Sequence, residues 1–142
     1  MDRPKRMQTM GMRMITVQVV PDKGRAMVAT SFIGKAKVIE SAPTVSFCEE
    51  DRETMKGTSV FGHCFVRVNK YRKGVPSGGY LVFGLMALCN HSENPNAYVD
   101  WQELETGVWA NLVSLRDIGA GEEISLYYAD KEEYPNNSEF KP

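Results

Sequence analysis

Short runs in which apolar and polar residues alternate recur along the chain, separated by glycine, proline and charged residues. Ile15, Val17 and Val19 alternate with polar neighbours, which is the two-residue period of a half-buried strand. Further strands are predicted, in chain order, at residues 26–30, 37–40, 45–48, 60–68, 108–115 and 122–128. Many short strands with turn residues between them, and few helical periods, predict a mainly β domain.

Two polar stretches interrupt the predicted strands. Residues 49–59 are charged and turn-like, and residues 69–79 combine lysine, arginine, glycine, proline and serine. We expect the first to be a turn and the second to be an exposed loop.

The apolar run 80–89 leads directly into Asn90-His-Ser-Glu-Asn-Pro-Asn96, whose residue types favour a surface turn. A surface turn does not need a buried approach, so this arrangement is unusual. Tyr127 and Tyr128 end the last predicted strand, where adjacent side chains point to opposite faces and one ring faces the core. The turn and the tyrosine pair therefore indicate two polar groups that meet at a buried place.

Length and cysteine content limit the class of protein. The 142 residues fit one domain, and no apolar run approaches the ~20 residues of a membrane helix. The basic leader, residues 1–13, lacks the apolar segment of a signal peptide. The three cysteines are odd in number and widely spaced, which is typical of reduced thiols. We therefore expect an intracellular protein of the nucleus or cytoplasm, without a membrane partner.

The net charge of −1 conceals an asymmetry between the two parts of the chain. Residues 1–92 hold 14 basic against 7 acidic residues, and residues 93–142 hold 3 against 11. Either the two parts pair with each other or face solvent, or the acidic part faces a cationic substrate.

Several common kinds of site find little support in the sequence. His63 and Cys64 lie in a predicted strand and His91 has no ligand partner at a recognisable spacing, so no metal site is expected. Ser92, His91 and Asp100 lack the strand-turn-helix context of a catalytic serine. The basic leader has no accompanying aromatic pattern, so no direct nucleic-acid site is expected.

The motifs 90–96 and Gly121-Glu-Glu-Ile-Ser-Leu-Tyr-Tyr128 together resemble those of the SET-domain methyltransferases. That family carries Asn-His-Ser-x-x-Pro-Asn and then Gly-Glu-Glu-(Leu/Ile)-(Thr/Ser)-x-x-Tyr. Residues 20–40 are similar to the family's first segment, and the resemblance covers roughly residues 15–134 in the right order. It implies a fold of small curled β-sheets whose C-terminal segment is threaded through a loop as a pseudoknot. The implied division is a basic leader at 1–13, a SET domain at 14–134 and a polar tail at 135–142.

The resemblance also implies an activity, the transfer of a methyl group from S-adenosylmethionine to the ε-amine of a protein lysine, with S-adenosylhomocysteine as product. The cofactor residues that it implies are Lys23, Gly24, Arg25, Met27, Asn90, His91 and Tyr134. Asn90 would bond the amino-acid part of the cofactor, and His91 would hold the adenine largely through its main chain. Tyr128 would be the catalytic tyrosine, and Tyr98, Val99 and Tyr127 would line the channel for the lysine. The substrate would be a histone tail or another basic protein, and the small size suggests a homodimer that builds its own substrate groove.

The implied chemistry explains why the motifs contain no strong base. A lysine of pKa ~10.4 is neutral in only about one molecule in 2,500 at pH 7, a handicap of roughly 4.6 kcal/mol. A desolvated channel beside a positive sulfonium disfavours the ammonium form. Tyr128 would then orient the neutral amine for attack.

The sequence departs from the family pattern at three small residues. Ala26 and Ala129 stand where relatives have glycine, and a glycine near Ala36 is missing. An added methyl matters where the backbone meets a ligand or needs a positive φ. These departures leave open an alternative, a degenerate SET-like domain that binds a partner without catalysis.

Overall fold

The structure is a computed structural model that describes residues 13–67 and 78–130. Nearly all of the predicted leader, most of the predicted loop 69–79, the residue Tyr134 and the predicted tail 135–142 lie outside the described residues. Where the chain is described, it forms small sheets with one short α-helix and two 3-10 turns. The strands are β1 Ile15–Val20, β2 Gly24–Ala29, β3 Val38–Phe47, β4 Cys64–Phe65, β5 Gly79–Val82, β6 Asn90–His91, β7 Ala97–Leu104, β8 Gly107–Ser114 and β9 Ser125–Leu126. The helix α1 is Glu49–Met55, and the 3-10 turns are η1 Phe61–His63 and η2 Leu85–Leu88.

The strands form three sheets. One is the antiparallel pair β1-β2, and the second is a five-stranded sheet in the order β4-β5-β3-β8-β7. The third pairs β6 with β9 in parallel, with Asn90 opposite Ser125 and His91 opposite Leu126. The mainly β prediction of small sheets is therefore confirmed. The third sheet brings the two halves of the sequence motif side by side.

Residues 122–130, here called the terminal segment, also bond to β2. The Ala29 amide donates to the Glu122 carbonyl at 2.9 Å, and the Ile124 amide donates to the Met27 carbonyl at 2.8 Å. The terminal segment thus lies between β2 and β6. Its threading through a loop as a pseudoknot stays a prediction.

One hydrophobic core draws side chains from all three sheets. Met27, Met86, Leu112, Ile118 and Ile124 are fully buried in it. Strand β8 contributes Ala110 and Leu112 on the same face, because alternate strand residues point the same way. Burial of this apolar surface is the main term that stabilises the fold.

Residues 49–59, predicted to be a turn, contain the helix α1 instead, so that prediction was wrong. The segment Glu49-Glu-Asp-Arg-Glu-Thr-Met55 has no apolar periodicity, which is why the pattern did not reveal a helix. Its first turn is acidic, and negative charge there favours helix formation. The buried residue of the helix is Arg52, at 1% exposure.

Four predicted strands differ from the observed ones. The predicted strand 60–68 is the 3-10 turn η1 followed by the two-residue strand β4, because Phe61 enters the core within a turn. The predicted strands 37–40 and 45–48 are one continuous strand, β3, which pairs with both β5 and β8. The predicted strand 122–128 narrows to β9, the part that pairs with β6.

Ion pairs join the basic first part of the chain to its acidic second part. Lys23 meets Glu123 at 3.0 Å, and Arg52 meets Asp130 at 2.5 Å. A third pair joins Arg67, two residues after β4, to Glu103 on β7 at 3.5 Å. The charge asymmetry of the sequence is therefore in part internal pairing, the first of the two interpretations.

Candidate functional site

Tyr128 lies two residues after β9 and is held at both ends by the chain segment 89–91. Its backbone N–H donates to Nδ1 of His91 at 2.9 Å, and its hydroxyl donates to the carbonyl oxygen of Cys89. Burial, with the nearby Cys89 and Asp130, raises the pKa of the Tyr128 hydroxyl well above its usual value. The hydroxyl therefore stays protonated and neutral, a donor to Cys89 whose oxygen lone pairs can still accept a hydrogen bond.

A cavity of 320 Å³ opens beside Tyr128. The three residues predicted for the lysine channel, Tyr98, Val99 and Tyr127, all line it together with Tyr128. Its other walls are mainly apolar and aromatic, formed by Phe65, Val66, Ala87, Pro95, Ala97, Trp101, Leu115 and Leu126. Such a lining suits an aliphatic side chain and excludes water from whatever enters.

Trp101 is the largest side chain of the cavity wall, and the sequence analysis did not single it out. Its ring packs against Tyr80 at 4.7 Å and edge-on against Phe65 at 6.2 Å between centroids. The Arg67 guanidinium lies 5.8 Å from its ring centre on another side. The signal was present, since Trp101 is two residues after Val99 on β7 and so shares its face.

Three of the residues predicted to bind the cofactor, Lys23, Arg25 and Asn90, lie together around Glu123. Lys23 Nζ lies 3.0 Å from one carboxylate oxygen of Glu123, and Asn90 Nδ2 donates to the other at 2.8 Å. Asn90 Nδ2 also donates to the carbonyl of Arg25 at 3.2 Å. Lys23, Arg25 and Asn90 are therefore brought together as predicted neighbours. Glu123 was missed, although it lies inside the motif 121–128.

Apart from His91, the remaining described cofactor candidates are Gly24 and Met27. They differ in backbone conformation and in burial. Gly24 has φ of +80°, a left-handed conformation that glycine adopts at no cost, at the start of β2. Met27 is fully buried in the core, and its carbonyl is engaged by the Ile124 amide at 2.8 Å. Met27 therefore contributes to the site by fixing the register of β2 against the terminal segment.

The imidazole of His91 is 3% exposed and has a defined partner on each nitrogen. Nδ1 faces the Tyr128 amide, and Nε2 lies 2.6 Å from Oε2 of Glu93. The ring centre is 5.2 Å from the Tyr127 ring and 5.5 Å from the Tyr128 ring. His91 is therefore a buried contact between the turn 90–96 and the tyrosine pair.

Asn96, at the end of the same turn, fastens it to the terminal segment. Its amide nitrogen donates to the Glu123 carbonyl at 2.7 Å, and its carbonyl oxygen accepts from the Ser125 amide at 2.9 Å. At 2% exposure these bonds are shielded from water. The buried approach to the turn is explained: the turn is anchored inside the molecule at both ends.

The three alanines that depart from the family glycines are not equivalent. Among the described residues the non-glycine positions with positive φ are Asp22 and Ala36, the latter at +64°. Ala36 therefore carries backbone strain of about 1–2 kcal/mol. Ala26, which pairs with Gln18 in the β1-β2 ladder, and Ala129 do not have a positive φ, so neither needs the conformational freedom of glycine.

Two further observations limit what the site can hold. In the part of the chain that is described, no cluster of three or more His, Cys, Asp or Glu side chains could hold a metal ion. Burial raises the pKa of the Cys89 thiol far above its usual value, so this cysteine is a poor nucleophile.

No curated protein sequence matches the chain. Among solved structures it is similar to a Plasmodium falciparum protein provisionally described as a histone methyltransferase, with a TM-score of 0.63 and 24% sequence identity. The match covers 84% of this chain and 96% of that one, and it shows a common fold. The family model described as the SET domain matches residues 24–129, well over half of the chain, and this protein therefore belongs to the SET-domain family.

Proposed function

We propose that this protein is an S-adenosylmethionine-dependent protein-lysine N-methyltransferase. The observation that carries the proposal is the position of Tyr128 in a SET-domain chain. Its neutral hydroxyl is hydrogen-bonded to the Cys89 carbonyl, beside an apolar cavity that is lined by every residue predicted for the lysine channel.

The residues around Glu123 are suited to binding the carboxylate and ammonium groups at the amino-acid end of the cofactor. Lys23 and Asn90 both reach a single carboxylate, that of Glu123, so their spacing is right for carboxylate recognition. The Arg25 carbonyl, which lies within reach of the same Asn90 amide, offers an acceptor for an ammonium group. When bound, S-adenosylmethionine supplies a methyl group on a positively charged sulfur, which is an activated electrophile.

The cavity residues would prepare the lysine. The aromatic walls formed by Tyr98, Trp101 and Tyr127 would surround the aliphatic stem of the side chain. The scarcity of charged groups in the lining disfavours the ammonium and so increases the fraction of neutral amine. The Tyr128 oxygen would accept an N–H of that amine and direct its lone pair towards the methyl group.

The chemical class of the substrate is a basic protein segment, such as a histone tail or another lysine-rich protein. Asp100 and Glu105 are exposed acids on and beside β7, the strand that carries the cavity residues Tyr98 and Val99. Exposed negative charge near the cavity favours the approach of a cationic segment.

The direct test is methyl transfer from labelled S-adenosylmethionine to a panel of basic proteins, with the modified lysine located by mass spectrometry. Tyr128→Phe should fold, because the ring is retained, and should lose most of the transfer rate. Equal rates for the two proteins would refute the role of Tyr128, and the absence of transfer to every substrate would refute the proposed activity.

A second candidate is a SET-domain module that binds a partner without catalysis. It is favoured by Ala129, whose methyl group lies in the cavity lining directly after Tyr128. Calorimetric titration with S-adenosylmethionine distinguishes the two. Micromolar binding supports the enzyme, and the absence of binding by a folded protein supports the module.

A further inference from the structure

We propose that Glu93 acts as a positioning residue, which fixes the His91 imidazole in one tautomer and thereby holds Tyr128 in place for methyl transfer. The inference rests on the proposed function for its effect on rate. The resemblance to SET domains gave His91 a main-chain role and gave Glu93 none, so the side-chain pair is a separate part of the site.

The two hydrogen bonds of the ring determine where its proton lies. The Tyr128 amide is a donor, so Nδ1, at 2.9 Å, must carry a lone pair. In the neutral ring the proton is then on Nε2, which faces the Glu93 carboxylate at 2.6 Å. A carboxylate can only accept, so Glu93 selects this tautomer and excludes the other.

The backbone alone does not reach far enough to hold Tyr128. The parallel pairing of β6 with β9 ends at His91 opposite Leu126, and the Ser92 amide adds a last bond to the Leu126 carbonyl at 2.8 Å. The His91 side chain extends the attachment by two residues, to the amide of Tyr128. Since the ring is 3% exposed, water cannot easily replace this bond when it is lost.

The first experiment reads the contact itself, without any activity. The full chain labelled with ¹⁵N is compared with Glu93→Ala and Glu93→Gln, and with Glu105→Gln as a control that removes an exposed acid elsewhere. Glu93 is half exposed, at 50% of its side chain, so its variants are expected to fold.

Wild type and the control should show the Nε2-protonated tautomer of His91. In Glu93→Ala the tautomers should mix, and the Tyr128 amide should exchange with solvent at least about tenfold faster. An Nδ1-protonated ring in the wild type, or unchanged Tyr128 exchange in Glu93→Ala, would overturn the proposal.

The second experiment measures the consequence for catalysis. We expect Glu93→Ala to lower kcat about tenfold while KM for the basic protein substrate stays within about twofold, because only Tyr128 is displaced. Glu93→Gln should retain most of the wild-type rate, because its amide oxygen can still accept a hydrogen bond from Nε2 of His91. A Glu93→Gln rate as low as that of Glu93→Ala would contradict the link between Glu93 and Tyr128. If the wild type transfers no methyl group to any substrate, the proposed function fails, and the magnetic resonance result still decides the positioning role.

Discussion

Removal of one partner of the Arg52–Asp130 pair should destabilise the protein far more than removal of both. Arg52 lies on α1, Asp130 lies two residues after Tyr128, and their side-chain atoms Nη2 and Oδ2 are 2.5 Å apart. The two residues are 1% and 4% exposed, and the guanidinium carbon also lies 5.1 Å from the Phe61 ring. The pair therefore joins the helix, the turn η1 and the terminal segment through buried charge.

The expected magnitudes follow from this burial. Asp130→Ala removes the Asp130 carboxylate from a guanidinium in the interior, which costs about 3–5 kcal/mol. That is a large part of the ~5–15 kcal/mol by which domains are stable, and it should lower Tm by roughly 10 °C or more. In the double variant Arg52→Met with Asp130→Leu, apolar groups of similar size replace both charges. Its free energy of unfolding should be within about 1 kcal/mol of the wild type, or higher.

The assay is urea unfolding followed by circular dichroism, with the free energy of unfolding taken at constant slope. The matched control is Glu53→Ala on the same helix, which removes one member of the exposed Glu53–Lys56 pair at 2.8 Å. This control should change stability by less than about 1 kcal/mol. A loss for Asp130→Ala no larger than for Glu53→Ala, or a double variant as unstable as the single one, would refute the reasoning from buried charge.

Three further predictions concern backbone strain, pH and the cofactor. Ala36→Gly should raise the free energy of unfolding by about 1 kcal/mol in urea titration, since φ of +64° strains alanine; a loss of stability would contradict this. The Gly119 amide, together with Arg116, lowers the pKa of Glu122. The stability advantage of the wild type over Glu122→Gln should therefore be complete above about pH 5, and it should decline as the pH falls below the ordinary carboxyl pKa of ~4.3 towards the lowered pKa of the folded protein, in thermal unfolding at a series of pH values. Asn90→Ala should abolish S-adenosylmethionine binding in calorimetry while the circular dichroism spectrum stays that of a folded domain; retained affinity would remove Asn90 from the cofactor site.

Strand β1 could be predicted from the alternation of Ile15, Val17 and Val19, and it is present as expected. Of these three residues only Ile15 is buried, whereas Val17 and Val19 are exposed, so the pattern revealed the strand but not which residues enter the core. The helix α1 was not visible, because its buried residue is an arginine and the partner of that arginine is 78 positions away. A local sequence pattern cannot indicate a contact between residues so far apart. The only visible feature of residues 49–59 was their charge, which predicted a turn.

The residues of the candidate site likewise divide into those that the sequence indicated and those that it did not. The resemblance grouped Tyr98, Val99 and Tyr127 as residues of the lysine channel, and the structure places all three in the lining of one cavity with Tyr128. Of these residues, Tyr127 lies within the motif 121–128, and Tyr98 and Val99 directly follow the motif 90–96. Trp101 and Glu93 fall outside the motif's fixed residues, and their importance arises from packing against Tyr80 and from contact with His91. Such contacts become apparent only when the chain is folded.

The unequal charges of the two parts of the chain have a structural consequence for Tyr128. Glu123, five residues before it, pairs with Lys23 beside β2, and Asp130, two residues after it, pairs with Arg52 on α1. Basic residues of the first part thus hold the acidic terminal segment on both sides of the tyrosine. Because β9 is only two residues long, backbone pairing could not do this alone. The acidic character of the terminal segment therefore serves first to position Tyr128, and the acids available to the proposed basic substrate are exposed ones such as Asp100 and Glu105.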